Sequence, residues 1–198
     1  MNPEELKSVT AKVNLYAIGS LSLARYEHSV RVAELSRELC GRFGLDPDVG
    51  YLAGLAHDIC KSGKDSWLLE LATKDGQPVS DIERRKPSLL HGHAAAVLLE
   101  RMFGIVDRSI LFAVRNHTFG APDMDALGKI VFVADKIEPG RVGMDPEYRI
   151  RILESDLDGM TRLVVEDNIR YLETRGKEVS ASTRRLLDNL KSGERLKK

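Results

Sequence analysis

Cysteine is scarce in this 198-residue chain: Cys40 and Cys60 are the only two, and they lack a C-x-x-C spacing. A disulfide scaffold is thereby excluded, and both thiols, set in apolar helical surroundings, read as buried and inert. There is no excess of charge of either sign, since Lys+Arg and Asp+Glu both number 30. A nonspecific nucleic-acid binder usually carries a basic excess to neutralise phosphates, so DNA and RNA are not expected partners. A small anionic ligand stays open, because a metal and a few local cations can hold it without global positive charge. The start, Met1-Asn2-Pro3-Glu4-Glu5, has no basic segment followed by an apolar run, so a signal peptide is not expected. No apolar stretch approaches the ~20 residues of a membrane span. The expectation is a cytoplasmic protein with no membrane partner. Strong alternating runs of β-branched residues are missing as well, which leaves helical periodicity in command.

An all-α single domain follows. Pro3 opens a helix over residues 4–18, and a second spans 22–43, with Val32, Leu35 and Leu39 on one stripe and Gly44 at its end. Asp46-Pro47 reads as N-cap and first residue of a short helix to Ala56. Further helices are expected over 64–74, from a Ser88 cap to Phe103, from Asp107 to His117, and over 124–137, where Pro139-Gly140 stops the chain. Residues 75–87 read as a loop with room for a short helix. Asp145-Pro146 opens C-terminal helices running to about residue 175, with another over 182–190. The N-terminal helix, within residues 1–20, should pack on a domain spanning 21–190, with 191–198 a frayed tail. No internal repeat or linker divides the chain.

Five histidines all precede residue 118. His28 shares a helix face with Val32 and Leu35, His91 has Ala95 and Leu98 behind it, and His117 follows Ile110, Ala113 and Val114 at helical spacing. His57 ends an apolar helix and is followed directly by Asp58. Asp135 lies in the apolar run Ile130-Val131-Phe132-Val133-Ala134. An unpaired carboxylate there is costly, so Asp135 should pair with a cation, accept several hydrogen bonds or bind metal. A single histidine on an apolar face is more often a hydrogen-bonded core residue, and a lone His-Asp dipeptide is common by chance. The joint pattern is different, because imidazoles and carboxylates are side chains that divalent metals prefer. His93 is two residues from His91, about 200° around the helix, so both cannot face one site and His93 is expected at the surface.

His28, the pair His57-Asp58 and Asp135 match the H…HD…D signature of the HD superfamily of metal-dependent phosphohydrolases. The segments 28–33, 53–61, 89–92, 116–118 and 135–141, with Tyr171-Leu172-Glu173, are similar to the YqeK-type family of bacterial symmetrical diadenosine tetraphosphate hydrolases. The resemblance covers about residues 21–190 and implies an HD-domain helical bundle that hydrolyses the dinucleotide to two ADP. It implies that His28, His57, Asp58 and Asp135 hold a first metal, and that Asp58 bridges to a second supported by His91 and His117. If one ion binds, His91 and His117 face phosphate oxygens instead. Asp58, Lys61, His91 and His117 are the implied catalytic group. Iron is the implied metal, while manganese, cobalt and zinc suit the same mixed donors. Departures from the family are Phe119 after Thr118, Lys136 where an aromatic is common, and Val179-Ser180-Ala181-Ser182 where His-Pro is usual.

A metal-bound water, its pKa lowered from ~15.7 towards ~7, is the nucleophile such chemistry needs. Lys61 lies four residues after His57 and is a candidate to neutralise phosphate charge. Arg25, three before His28, and Arg141, after the Pro139-Gly140 turn, are candidates to grip phosphate bidentately. Lys61, Arg25 and Arg141 also read as ordinary surface cations. Thr118, next to His117, completes the nucleotide-contact set of Arg25, Lys61, His91, His117, Thr118 and Arg141. Glu138 reads equally as an acceptor that orients a ligand and as an exposed helix-end carboxylate. Rival readings are hydrolysis of another nucleotide or signalling dinucleotide, a di-iron oxygenase, and a non-catalytic nucleotide sensor. A homodimer stays open.

Overall fold

The computed structural model describes residues 1–196, with side chains through residue 193. Among them are eleven α-helices and no strand, gathered on one apolar core. In chain order they are α1 (Pro3–Ser20), α2 (Leu23–Arg42), α3 (Pro47–Ala56), α4 (Asp65–Ala72), α5 (Asp81–Arg85), α6 (His91–Phe103), α7 (Arg108–Asn116), α8 (Ala126–Ile137), α9 (Pro146–Glu154), α10 (Leu157–Thr174) and α11 (Ala181–Leu196). Among the described residues, no helix is long and apolar enough to cross a membrane.

The starts are chemically marked. Asn2 and Glu5 form a capping box on α1, and Asp46, Asp107, Asp125 and Asp145 each accept from backbone N–H groups of the helix they precede. The sequence reading is departed from at two boundaries. Ser88 does not cap α6: Pro87 starts a 3-10 turn over Pro87–Leu90, and the α-helix begins at His91. The C-terminal helices expected from 145 to about 175 are two, divided after Glu154 where extended Ser155 precedes Asp156, whose side chain caps the second at Gly159. The last helix continues to Leu196 instead of giving way to a tail at 191, while residues 197–198 lie outside the described residues.

α8 is the axis of the fold. Leu127, Ile130, Val131, Phe132, Val133, Ala134 and Ile137 are all buried, so the helix is covered nearly all round, by α2, α3, α7 and α10. α1 lays Leu6, Val9, Val13 and Ala17 onto this body, chiefly against α3. Two close approaches then set the site. A Cβ at Gly54 would stand 2.7 Å from the Ala33 Cα, so only glycine lets α3 press its last turn onto α2 beside His28. A Cβ at Gly92 would meet the Arg115 carbonyl oxygen at 2.6 Å, so the start of α6 lies against the end of α7, where His117 follows.

Candidate metal centre

Five helices deliver six ligand-type side chains to one place. His28 comes from α2, His57 and Asp58 from the end of α3, His91 from the first residue of α6, His117 from the residue after α7, and Asp135 from the last turn of α8. None is more than 8% exposed. His28 Nε2 lies 3.1 Å from Asp135 Oδ1, and His57 Nε2 lies 3.5 Å from Asp58 Oδ2 and 3.7 Å from Asp135 Oδ1. On the other side of Asp58, Oδ1 lies 3.0 Å from His91 Nε2 and 3.5 Å from His117 Nε2.

The tautomers follow from what stands behind the rings. Nδ1 of His57, His91 and His117 lies 2.6, 2.7 and 2.7 Å from the carbonyl oxygens of Gly54, Ser88 and Val114. A carbonyl can only accept, so each Nδ1 carries the hydrogen and a neutral ring leaves its Nε2 lone pair pointing inward. Burial favours the neutral ring at two of them: it pushes His57 below the usual histidine range and His117 down to about 3. His28 is held differently, with Nδ1 3.0 Å from Oε1 of buried Glu138. Arg31 Nε donates to Glu138 Oε2 at 2.6 Å and the Gly140 N–H donates to the same oxygen at 2.5 Å.

This donor set fits a divalent cation. His57 Nε2 and Asp58 Oδ1 are buried atoms without a hydrogen-bond partner. Nε2 of His91 and Nε2 of His117 stand 3.0 Å apart, an arrangement of lone pairs that calls for positive charge. Three triads have ligand atoms close enough for one ion: His28, His57 and Asp58; His57, His117 and Asp135; and Asp58, His91 and His117. An imidazole–carboxylate set suits a divalent metal, and outer acceptors such as the three carbonyls and Glu138 fix the rings that would hold it.

Four cations rim the cluster. Arg25 Nη1 donates to Asp58 Oδ2 at 2.9 Å, and Lys61 Nζ lies 3.1 Å from His91 Nε2 and 3.8 Å from Asp58 Oδ1. Lys136 Nζ donates to Asp135 Oδ2 at 2.8 Å and to the His117 carbonyl at 2.6 Å. Arg141 reaches Asp135 Oδ1 through Nη2 at 2.7 Å. Burial alone would raise the Asp135 carboxyl, but the Lys136 ammonium and the His28 ring outweigh it and hold it well below its ordinary range. The Thr118 hydroxyl lies 3.4 Å from His91 Nε2 and 3.3 Å from His117 Nε2.

Every residue singled out in the sequence for the site therefore lies at this centre. Glu138 is not an exposed helix-end carboxylate: it is buried behind His28. Lys136 and Arg31 went unassigned. Their signal was positional: Lys136 directly follows the buried Asp135, and Arg31 stands three residues after His28 on the same helix.

His93 is corrected. It does turn away from His91, but it meets protein rather than water, and its side chain is only 13% exposed. The chain between α4 and α6 folds back over it, so that Nδ1 lies 2.7 Å from Asp75 Oδ2 and Nε2 lies 3.2 Å from Glu83 Oε1. Arg115 closes the network on Asp75 through two nitrogens. Burial opposes a charge on His93, but its bonds to the two carboxylates prevail and raise it to about 9.

Residues 25–140, more than half of the chain, match the HD domain family. The chain is 30% identical over 159 residues to a Bacillus subtilis protein named "Bis(5'-nucleosyl)-tetraphosphatase, symmetrical", covering 80% of this chain and 85% of that protein. A Staphylococcus aureus protein of the same name is 33% identical over 136 residues, covering 68% of this chain and 70% of its own length. A Clostridium acetobutylicum crystal structure, described as a predicted HD superfamily hydrolase involved in NAD metabolism, has TM-score 0.85 and 31% identity, covering 92% of this chain and 96% of that one. The signature His28…His57-Asp58…Asp135 falls inside the matched span, on converging helices, and the chain belongs to the HD domain family, among relatives named symmetrical bis(5'-nucleosyl)-tetraphosphatases.

Proposed function

We propose that this chain hydrolyses diadenosine tetraphosphate symmetrically, with water, to two ADP. The bond broken is the central phosphoanhydride: water oxygen joins one of the two inner phosphorus atoms, and the bridging oxygen leaves with the other ADP. The observation that carries the reading is the meeting of an inward-aimed His/Asp cluster with Arg25, Lys61, Lys136 and Arg141, all within hydrogen-bonding or ion-pair reach of Asp58 or Asp135. A cluster alone suits many metal reactions, but four cations around it suit a polyanionic phosphate chain. They favour a phosphorylated substrate over an oxygenase's unphosphorylated one.

His28, His57, Asp58 and Asp135 would hold one divalent ion, and Asp58, His91 and His117 a second. When bound, the metal supplies a water of pKa near ~7 and neutralises developing charge on phosphate. Asp58 presents Oδ2 towards His57 and Arg25 and Oδ1 towards His91 and His117, which supports its serving both halves of the cluster. The ring tautomers favour the ligand role for His91 and His117. With Nδ1–H committed to a carbonyl, a neutral ring has no N–H to offer a phosphate oxygen. Lys61 and Arg25 would neutralise the phosphate on the Asp58 side, and Lys136 and Arg141 the one on the Asp135 side. Thr118 stands at the edge of a cavity of about 830 Å³ that also borders Phe119, Ser182 and Arg185, which suits one nucleoside of the substrate. Of the metals that suit these donors, the family resemblance favours iron.

Chromatography of the products from metal-loaded protein tests this. ADP as sole nucleotide product is expected. AMP with ATP would contradict the cleavage position, and bound metal without turnover would contradict the substrate.

A further inference from the structure

A dinucleotide cleaved at its centre has two nucleosides to place, and the Thr118 cavity accounts for one. A second cavity, of about 910 Å³, lies between α8, α9 and α10. It meets the cluster through other residues: Lys136 and Arg141 line it, and both bond Asp135. Its chemistry changes along its length. Beside Asp135 it offers cations for phosphate. Farther away Arg151 and Arg170 also line it, Arg170 3.5 Å from Asp167 Oδ1, but there they are joined by the rings of Tyr148 and Tyr171, the amide of Asn168 and the carboxylate of Asp167. Aromatic faces stack on bases, an amide pairs with base edges, and a carboxylate accepts from ribose hydroxyls. The Tyr148 hydroxyl donates to the Leu163 carbonyl at 2.9 Å, so that ring is fixed between α9 and α10, while Tyr171 remains 48% exposed at the opening. The volume lies within the range that holds a nucleoside.

We infer that the cavity between α8, α9 and α10 is the compartment for the second nucleoside, with Lys136 and Arg141 passing the phosphate chain across Asp135 and Tyr171 and Asn168 contacting the nucleoside. The inference rests on the proposed dinucleotide hydrolysis. It places the two halves of a symmetric substrate in two chemically unlike compartments, so the enzyme would distinguish ends that the substrate does not.

The test uses metal-loaded protein with Tyr171→Ala and Asn168→Ala, and compares diadenosine tetraphosphate with adenosine 5'-tetraphosphate, which has one nucleoside. The expected result is a KM for the dinucleotide raised roughly tenfold in Tyr171→Ala, as loss of one stacking partner implies, with kcat nearly unchanged. Asn168→Ala should shift KM in the same direction, Tyr171→Phe should behave as wild type, and the KM for adenosine tetraphosphate should not move. Equal effects on both substrates, or none on either, would overturn the inference. If the wild type turns over neither substrate, the proposed function fails, and calorimetric titration with ADP still decides the cavity. Two ADP bound per chain in wild type and one in Tyr171→Ala supports it, and one in both overturns it.

Discussion

His91 and His93 begin the same helix two residues apart, and each belongs to a buried histidine–carboxylate cluster, yet the two clusters are built in opposite ways. Around His91 each ring spends its outer nitrogen on a carbonyl or on Glu138 and aims the inner one at a shared centre. Around His93 both nitrogens end on carboxylates, Asp75 and Glu83, and Arg115 completes the charge balance. The first cluster is open: it leaves His57 Nε2 and Asp58 Oδ1 buried and without hydrogen bonds. The second is closed, leaving no ring nitrogen over, since both His93 nitrogens end on carboxylates. Buried histidine and acid are thus not by themselves a metal site. The sign of one is a set of rings anchored from behind with lone pairs left over in front.

The sharpest way to break the comparison is to remove the centre of the open cluster. Asp58→Ala should lower turnover of diadenosine tetraphosphate by more than about a thousandfold and lose bound metal, read by kinetics and elemental analysis. Next comes the support behind His28. Glu138→Gln should weaken metal affinity by roughly 10- to 100-fold, measured by competition with a chelator, and leave the fold intact by circular dichroism. The closed cluster should respond in stability alone. Asp75→Asn leaves His93 and Arg115 short of a partner and should cost roughly 3 kcal/mol in denaturant unfolding, with metal content unchanged. A loss of metal in that variant would erase the distinction between the clusters.

The smallest effect is in pH. Burial favours protonated Asp75 and Glu83, but the His93 ring bonded to both, with Arg115 bonded to Asp75, prevails and lowers both carboxyls. A depressed carboxyl stabilises the fold above its unfolded pKa, near 4 for such groups, and the contribution fades as pH falls through the lower folded value. The melting temperatures of wild type and Asp75→Asn should therefore differ most near neutral pH and converge in acid.

The sequence was legible where chemistry is local. Asp46-Pro47, Asp107 and Asp145-Pro146 announce helix starts by side chains that reach their own backbone, and those starts stand. Asp135 declared the site because a carboxylate in an apolar run must be answered by something. Boundaries were misplaced where a neighbouring residue decides, as when Pro87 imposes a 3-10 turn and displaces the start of α6 to His91. His93 misled because helical phase gives the direction a side chain points, not what lies there. Its partners, Asp75 and Glu83, come from a segment without strong periodicity, and only the folded chain brings them over α6. Gly54 and Gly92 carry the same lesson: each permits a helix contact visible only as the space a Cβ would fill.

The most direct test strips the protein of metal with a chelator and titrates ferrous iron back under anaerobic conditions, following ADP release from diadenosine tetraphosphate. The account predicts no release from the stripped protein and a rate that rises with bound iron, saturating at one or two ions per chain. ADP release that is indifferent to metal, or saturation with iron and no ADP, would contradict it.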